Sequence, residues 1–336
     1  MVRTVPSASR LTESGNGGGI TTMKVLYWSR IPFARRQTRE ALEAVPGIEL
    51  RYVETLEECL AELPGAELLV TGDVPAPEAA RVLAVASAEG LRAIHFISAG
   101  RDGFDAAGIP DDLAVTGPVG ASAATVAEHA MGLTLGLLRQ IRGIALATVA
   151  REWDKGLITG LRSLEGAEVL IVGLGHIGRE YAQRVRAFGA RTVGLQHRPR
   201  PDDSVDRLAT MADLDRELPQ ADIVFISAAL TAETAGLFDA DRIARMKPGA
   251  ILVNTARGGL VDTLALATAV EEGRLGGAGV DVTDPEPLPA DHPLWGVPNV
   301  LVSPHFAGGG SPLALQRVGA SAASRARELM EEHDRV

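Results

Sequence analysis

Arg257 follows the apolar run AILVNTA, Asp281 stands within GAGVDV with Glu286 just beyond it, and His305 follows NVLVSP. These positions bring a guanidinium, two carboxylates and an imidazole to the ends of successive hydrophobic segments. A guanidinium binds anions, and an imidazole exchanges a proton near neutrality. A carboxylate hydrogen-bonded to the other ring nitrogen fixes the tautomer and favours the imidazolium. Singly, each residue has an ordinary reading: Arg257 in a glycine-rich turn, Asp281 or Glu286 as a solvated acid, His305 as a satisfied histidine. Together they match the reduction of a 2-oxo acid. That chemistry needs a cation for the carboxylate and carbonyl, a proton donor for the oxygen and a hydride from nicotinamide. In that scheme Arg257 is the cation, His305 the donor and Glu286 its orienting carboxylate, while Asp281 holds the nicotinamide carboxamide.

A nicotinamide needs a dinucleotide site, and residues 169–178 read VLIVGLGHIG: a strand-like run, the turn Gly173-x-Gly175-x-x-Gly178, then a helix-like stretch. Glycines there let backbone amides approach a pyrophosphate at a helix N-terminus, although an ordinary strand-to-helix turn has the same pattern. After the next strand, residues 191–195, stand Gln196, His197, Arg198 and Arg200, with no carboxylate where the ribose would be read. Donors and positive charge favour the 2′-phosphate of NADP over NAD. The alternative leaves Arg198 and Arg200 as solvated loop arginines beside Pro199 and Pro201.

Two alternating α/β series must position these residues. Strands are expected near residues 24–28, 48–53, 68–71, 92–98 and 115–116, then near 169–172, 192–195, 223–227, 250–254, 278–282 and 300–303. One long helix, residues 122–150, carries apolar residues on nearly every face, as a helix buried between two domains would. Such alternation predicts an α/β fold of two Rossmann-like, doubly wound parallel-sheet domains with a cleft between them. Ligands then sit beyond the carboxyl ends of the strands.

With 336 residues, 46% hydrophobic content and 37 glycines, the chain is long enough for two such domains. Cys59 is the only cysteine, so no disulfide framework or cysteine-rich zinc site is expected, and a reducing, cytoplasmic setting follows. A net charge of −10 gives no broad basic surface for nucleic acid, and no apolar run has bilayer-spanning length. Residues 1–22, rich in Ser, Thr, Gly and Asn, read as a disordered leader. Met23 directly before the first strand makes them an upstream extension rather than an address. Expected partners are small 2-oxo or 2-hydroxy acids and a second copy of the chain.

Several motifs in order give this chain a clear likeness: ISAGRDGFD (97–105), TVAEHAMGLTLGLLR (125–139), GLGHIG, KPGAILVNTARGGLVD (247–262), GVDVTDPEPLP (279–289) and SPHFAGG (303–309). Over nearly everything after Met23 it resembles the D-isomer-specific 2-hydroxyacid dehydrogenases, among them glyoxylate/hydroxypyruvate reductases and phosphoglycerate dehydrogenase. The resemblance implies catalytic Arg257, Glu286 and His305, and substrate carboxylate binding by the Ala99 and Gly100 amides. It implies a cofactor set of Gly173, Gly175, His176, Ile177, Gly178, Gln196, His197, Arg198, Arg200, Thr255, Ala256 and Asp281, with no metal. It also implies a discontinuous substrate domain, 23–121 with 306–336, around a dinucleotide domain, 122–305, and a homodimer paired near Trp153. Ser227 and Ala229 depart from the His and Pro of many members, so the adenosine-side contacts made there are not carried over. Glu286 stands where the formate dehydrogenase branch has Gln, which argues against formate. The family also includes corepressors that keep the fold, a reading for which the sequence offers no peptide-binding feature. Beside Glu128, His129 reads as structural; His176 is solvated or grazes a phosphate; Trp295 is a pocket wall or core.

Overall fold

The computed structural model describes residues 22–198 and 200–333. The expected leader lies, up to residue 21, outside them. The chain forms two compact units, one reaching Gly117 and resuming at Gly319, the other running from Pro118 to Val318. These divisions fall later in the return segment than the expected 305/306 boundary, because the last helix starts inside the second unit and only its later turns belong to the first.

The first unit alternates β1 (Met23–Trp28), α1 (Arg35–Glu43), β2 (Ile48–Val53), α2 (Leu56–Glu62), β3 (Leu68–Thr71), α3 (Ala76–Glu89), β4 (Ala93–Phe96), α4 (Asp102–Ala107) and β5 (Ala114–Thr116). All strands are parallel in the order β2-β1-β3-β4-β5, which reverses direction between β1 and β3. Leu26, Trp28, Leu69, Ile94 and Phe96 face a core completed by Val82, Leu83 and Phe104 from the helices. The returning helix comes so close to α1 that a Cβ on Gly319 would stand 2.5 Å from the Gln37 carbonyl oxygen.

The second unit opens with two helices, α5 (Ala123–Leu138) and α6 (Ile141–Ala150), where the sequence reads as one. They bend by 65° at a break carried by Gln140, a non-glycine residue at φ +54°. Only α5 is buried; α6 has no buried residue, contrary to the expectation for the whole stretch. Among the described residues no single helix is long and apolar enough to cross a membrane.

There follow β6 (Glu168–Val172), α7 (His176–Ala187), β7 (Arg191–Gln196), β8 (Arg207–Thr210), α8 (Leu214–Glu217), β9 (Ile223–Ile226), α9 (Ala240–Arg245), β10 (Ile251–Asn254), α10 (Thr263–Glu271), β11 (Gly277–Val280), β12 (Val300–Val302) and α11 (Pro312–His333). Strand β8 is absent from the sequence reading. The seven strands are parallel in the order β12-β11-β10-β9-β6-β7-β8, so the direction of winding reverses between β6 and β9. Both faces are covered: Leu170, Val172, Val224, Ile226 and Leu252 enter one core, and Val169, Ile171, Ile223, Phe225 and Val253 the other. Burial on both sides explains why these strands read as unbroken apolar runs rather than alternating ones.

Candidate active site

His305 lies three residues past β12, in a loop held by main-chain and side-chain hydrogen bonds. Its Nδ1 is 2.8 Å from Glu286 Oε2, while Glu286 Oε1 accepts from the Thr283 amide at 3.0 Å. The carboxylate is thus oriented from behind, and the contact leaves Nε2 as the ring nitrogen directed away from it. His305 itself has φ +51°, a left-handed conformation that costs a non-glycine residue ~1–3 kcal/mol and persists only when its surroundings over-determine it. Asp281 does much of this. Its carbonyl accepts from the His305 amide at 2.7 Å, Oδ1 from the Phe306 amide at 3.2 Å and Oδ2 from the Ala307 amide at 3.0 Å. Asp281 is buried, and both carboxylate oxygens are engaged by this loop rather than directed outward to a carboxamide.

Arg257 leaves the end of β10 in an extended conformation, at φ −144°. Its backbone is fixed by Asn254, whose Nδ2 donates to the Arg257 carbonyl at 2.9 Å and whose Oδ1 accepts from the Ala256 amide at 3.0 Å. The next residue must be glycine: a Cβ on Gly258 would lie 1.9 Å from the Thr283 carbonyl oxygen. That approach seats the Arg257 turn directly on the segment whose Thr283 amide orients Glu286. One edge of one sheet therefore joins cation, carboxylate and imidazole.

The glycine turn sits at the reversal between β6 and β9, where open parallel sheets bind ligands. Gly173 has φ +98°, and a Cβ there would stand 2.6 Å from the Ala228 amide nitrogen; one on Gly178 would stand 2.3 Å from the Gly173 carbonyl oxygen. A Cβ on Gly175 would meet nothing within 4 Å, so this glycine borders open space. Ser227, a departure from the family pattern, donates its hydroxyl to the Gly173 carbonyl at 2.6 Å and ties β9 to the turn. Helix α7 begins with Gly175 as N-cap and no side-chain cap, whereas α2 and α10 are capped by Thr55 and Asp262. Its first amides are the kind of donor a pyrophosphate takes. The buried Thr255 Oγ1 has no hydrogen-bond partner among the described residues. An open glycine, an uncapped helix start and an unpartnered buried hydroxyl together fit a dinucleotide.

His176, exposed, is the first residue of α7, and Ile177 packs against the core behind it. Beyond β7, Gln196 Oε1 accepts from the Arg200 amide at 2.9 Å, and His197, Arg198 and Arg200 are exposed. The nearest following carboxylate, Asp202, is 2.6 Å from Arg179 Nε of α7 and also accepts from the Ser204 amide. Burial would raise its pKa, but the Ser204 and Arg179 contacts outweigh that and hold the carboxyl below its usual range. Ala99 and Gly100 belong to the first unit, after β4, where Ser98 Oγ donates to the Gly100 carbonyl at 3.0 Å. Asp73, at the end of β3, accepts from the Gly103 and Phe104 amides and fixes the start of α4. Trp295 is 46% exposed and so is not core. Asp73, Ser227 and Ser303 escape sequence reasoning because each acts through partners distant along the chain, backbone for the first two and the Asp281 and His129 side chains for Ser303. His129 is legible only as one of the few polar residues on a mostly apolar helix. No cluster of His, Cys, Asp and Glu suited to a metal occurs among the described residues.

The family model for D-isomer specific 2-hydroxyacid dehydrogenase, NAD binding domain, matches residues 131–307. The chain belongs to this family. It is 34% identical over 284 residues to D-3-phosphoglycerate dehydrogenase of Mycobacterium tuberculosis, covering 83% of this chain and 52% of that protein. With glyoxylate reductase of Thermofilum pendens it shares 38% identity over 214 residues, 61% of this chain and 63% of the relative. The chain spans about half the length of the phosphoglycerate dehydrogenases it matches. Among solved structures, the TT0316 protein from Thermus thermophilus superposes with a TM-score of 0.77 at 33% identity, covering 92% of this chain and 97% of the other.

Proposed function

We propose that this family member reduces small 2-oxo acids to D-2-hydroxy acids, reversibly, with NADPH preferred to NADH. The observation that carries the reading is the 2.8 Å contact of His305 Nδ1 with Glu286 Oε2, on a loop adjoining the Arg257 turn. Bound nicotinamide supplies the hydride. Arg257 orients the substrate carboxylate and polarises the carbonyl, with the Ala99 and Gly100 amides as further carboxylate donors. Glu286 keeps a proton on Nδ1 and stabilises the imidazolium, so that Nε2 delivers a proton to the carbonyl oxygen and recovers it in the reverse direction. Gly173, Gly175, His176, Ile177 and Gly178 cradle the dinucleotide, Thr255 and Ala256 line it, and Gln196, His197, Arg198 and Arg200 receive the 2′-phosphate.

The test follows loss of reduced nicotinamide absorbance with NADPH and NADH against glyoxylate, hydroxypyruvate, pyruvate, phenylpyruvate and longer 2-oxo acids. Turnover faster with NADPH on any of them supports the reading. Silence throughout, with tight dinucleotide binding, sinks it in favour of a nucleotide-sensing protein. A phosphoglycerate dehydrogenase-like activity is the second reading, favoured by the 34% identity to that enzyme of Mycobacterium tuberculosis. Oxidation of 3-phosphoglycerate with NAD in preference to the unphosphorylated acids would establish it. We further infer a cytoplasmic homodimer. The lone thiol of Cys59 is buried and pushed up to about 12, unsuited to disulfide exchange, and α6 leaves apolar side chains uncovered.

A further inference from the structure

A second histidine lies behind the one assigned as acid. His129 is on α5, which supplies nothing to the mechanism above, and its side chain is 22% exposed. Its Nε2 is 2.8 Å from Ser303 Oγ and 3.5 Å from Asp281 Oδ1. The Ser303 hydroxyl donates its proton to Asp281 Oδ1 at 2.6 Å, so toward His129 it can only accept. The network thereby assigns His129 Nε2–H as a donor, whether the ring is neutral or charged. The relay continues outward, for the Asp281 carboxylate accepts from the Phe306 and Ala307 amides, and the Asp281 main-chain carbonyl accepts from the His305 amide, which lies between them and Ser303. The His129 ring also meets the Phe306 ring edge-on, with centroids 5.1 Å apart. Contacts from one side chain thus reach the loop two residues before His305 and one residue after it.

We propose that His129 is a positioning residue for His305, acting through Ser303 and Asp281 to hold the left-handed turn that directs the imidazole toward Glu286. The catalytic consequence rests on the reading of His305 as the proton donor; the effect on the loop does not. The Asp281 carboxylate is buried, and a buried carboxylate holds its place only when hydrogen-bond donors saturate it. Without the donor on His129, Ser303 Oγ keeps Asp281 Oδ1 as its one side-chain partner, and the hydroxyl and carboxylate are held less tightly. Groups that orient a reacting side chain from behind typically change turnover by about 10–100-fold when removed.

His129→Leu fills the volume without an N–H, and His129→Gln restores an amide N–H without the ring. In the leucine variant, amide hydrogen exchange at His305, Phe306 and Ala307 should speed up by about tenfold or more while the β11 amides keep their protection. The kcat should fall about tenfold with the dinucleotide Kd within about twofold, and the glutamine variant should recover most of both effects. Unchanged exchange at those three amides, or a glutamine variant no better than leucine, overturns the proposal. Should the leucine variant fail to fold, the glutamine variant decides alone: native loop protection and turnover support the relay, and their loss overturns it. If the wild-type chain turns over no 2-oxo acid, the functional reading falls, while the exchange measurement still decides whether His129 holds the loop.

Discussion

At the scale of single residues, the chemistry depends on one ring nitrogen being held while the other works. Glu286 engages Nδ1 of His305, and Thr283 engages Glu286, so the donor is set before substrate arrives. Replacing His305 by Gln keeps a polar side chain but removes the acid–base group. We expect kcat to fall by about two to four orders of magnitude with little change in dinucleotide Kd, measured by steady-state rates beside fluorescence titration. Near-normal turnover would remove His305 as the acid. Cofactor choice is a second residue-scale matter. With Asp202 bound to Arg179, the exposed Arg198 and Arg200 are cationic groups placed to read a ribose substituent. Substituting both by Ala should weaken NADPH by about tenfold or more and NADH by little, and equal loss for the two cofactors would contradict phosphate binding. The placement of Arg257, Glu286 and His305 after strands is legible in sequence because each follows an apolar run of strand length bounded by polar residues. Asp281 is legible as polar but not in its direction. Which way a buried carboxylate turns depends on amides 25 and 26 residues further on, which no local pattern encodes.

At the scale of elements, the sheets follow from apolar β-branched runs bounded by polar turns, and the first five strands begin and end within about two residues of where those runs do. Two features escape that logic. Strand β8, RLAT, is half polar at the sheet edge, so it lacks the hydrophobicity of the four-residue strands β9 and β10, which read as unbroken apolar runs. The break between α5 and α6 carries no glycine or proline and is made by Gln140 in a left-handed conformation. A buried histidine in the middle of β4 gives this scale its prediction. His95 is 1% exposed, its Nδ1 lies 2.9 Å from Thr116 Oγ1, and burial together with the Arg325 guanidinium pushes its pKa down to about 4. Unfolded, the same imidazole titrates near 6.5. Between those values the unfolded chain binds a proton that the folded one does not, so stability is full above pH ~6.5 and falls as pH drops toward ~4. The loss should reach about 3 kcal/mol. His95→Gln, which cannot titrate, should be somewhat less stable at neutral pH yet lose less on acidification. Urea unfolding across that pH range checks this, and parallel acid sensitivity in the two proteins would exclude His95 as the source.

At the scale of the molecule, the feature that a single chain leaves unexplained is α6. Ile141, Ile144, Leu146 and Val149 are 52%, 45%, 62% and 83% exposed, and Trp153 just beyond the helix is 91% exposed. An isolated ten-residue helix is marginal in water, and one with apolar residues on most sides needs a cover. The helix bears one charge, Arg142, whose Nη1 donates to the carbonyls of Val297, Pro298 and Val300 and so is turned back into its own chain. No free charge on α6 therefore opposes the approach of an identical helix, and a two-fold contact would set these apolar side chains against one another. The net charge of −10 spread over the rest of the chain opposes association less as salt screens it. We accordingly expect a dimer that survives high salt. Replacing Ile144 and Val149 together by Lys puts like charges across the two-fold axis, which no rearrangement of flexible ends can separate fully. Sedimentation should then show a monomer that keeps its dinucleotide affinity, because the glycine turn lies on other elements. A wild-type chain that sediments as a monomer at micromolar concentration, or a double variant that remains dimeric, would show that the α6 face has another use.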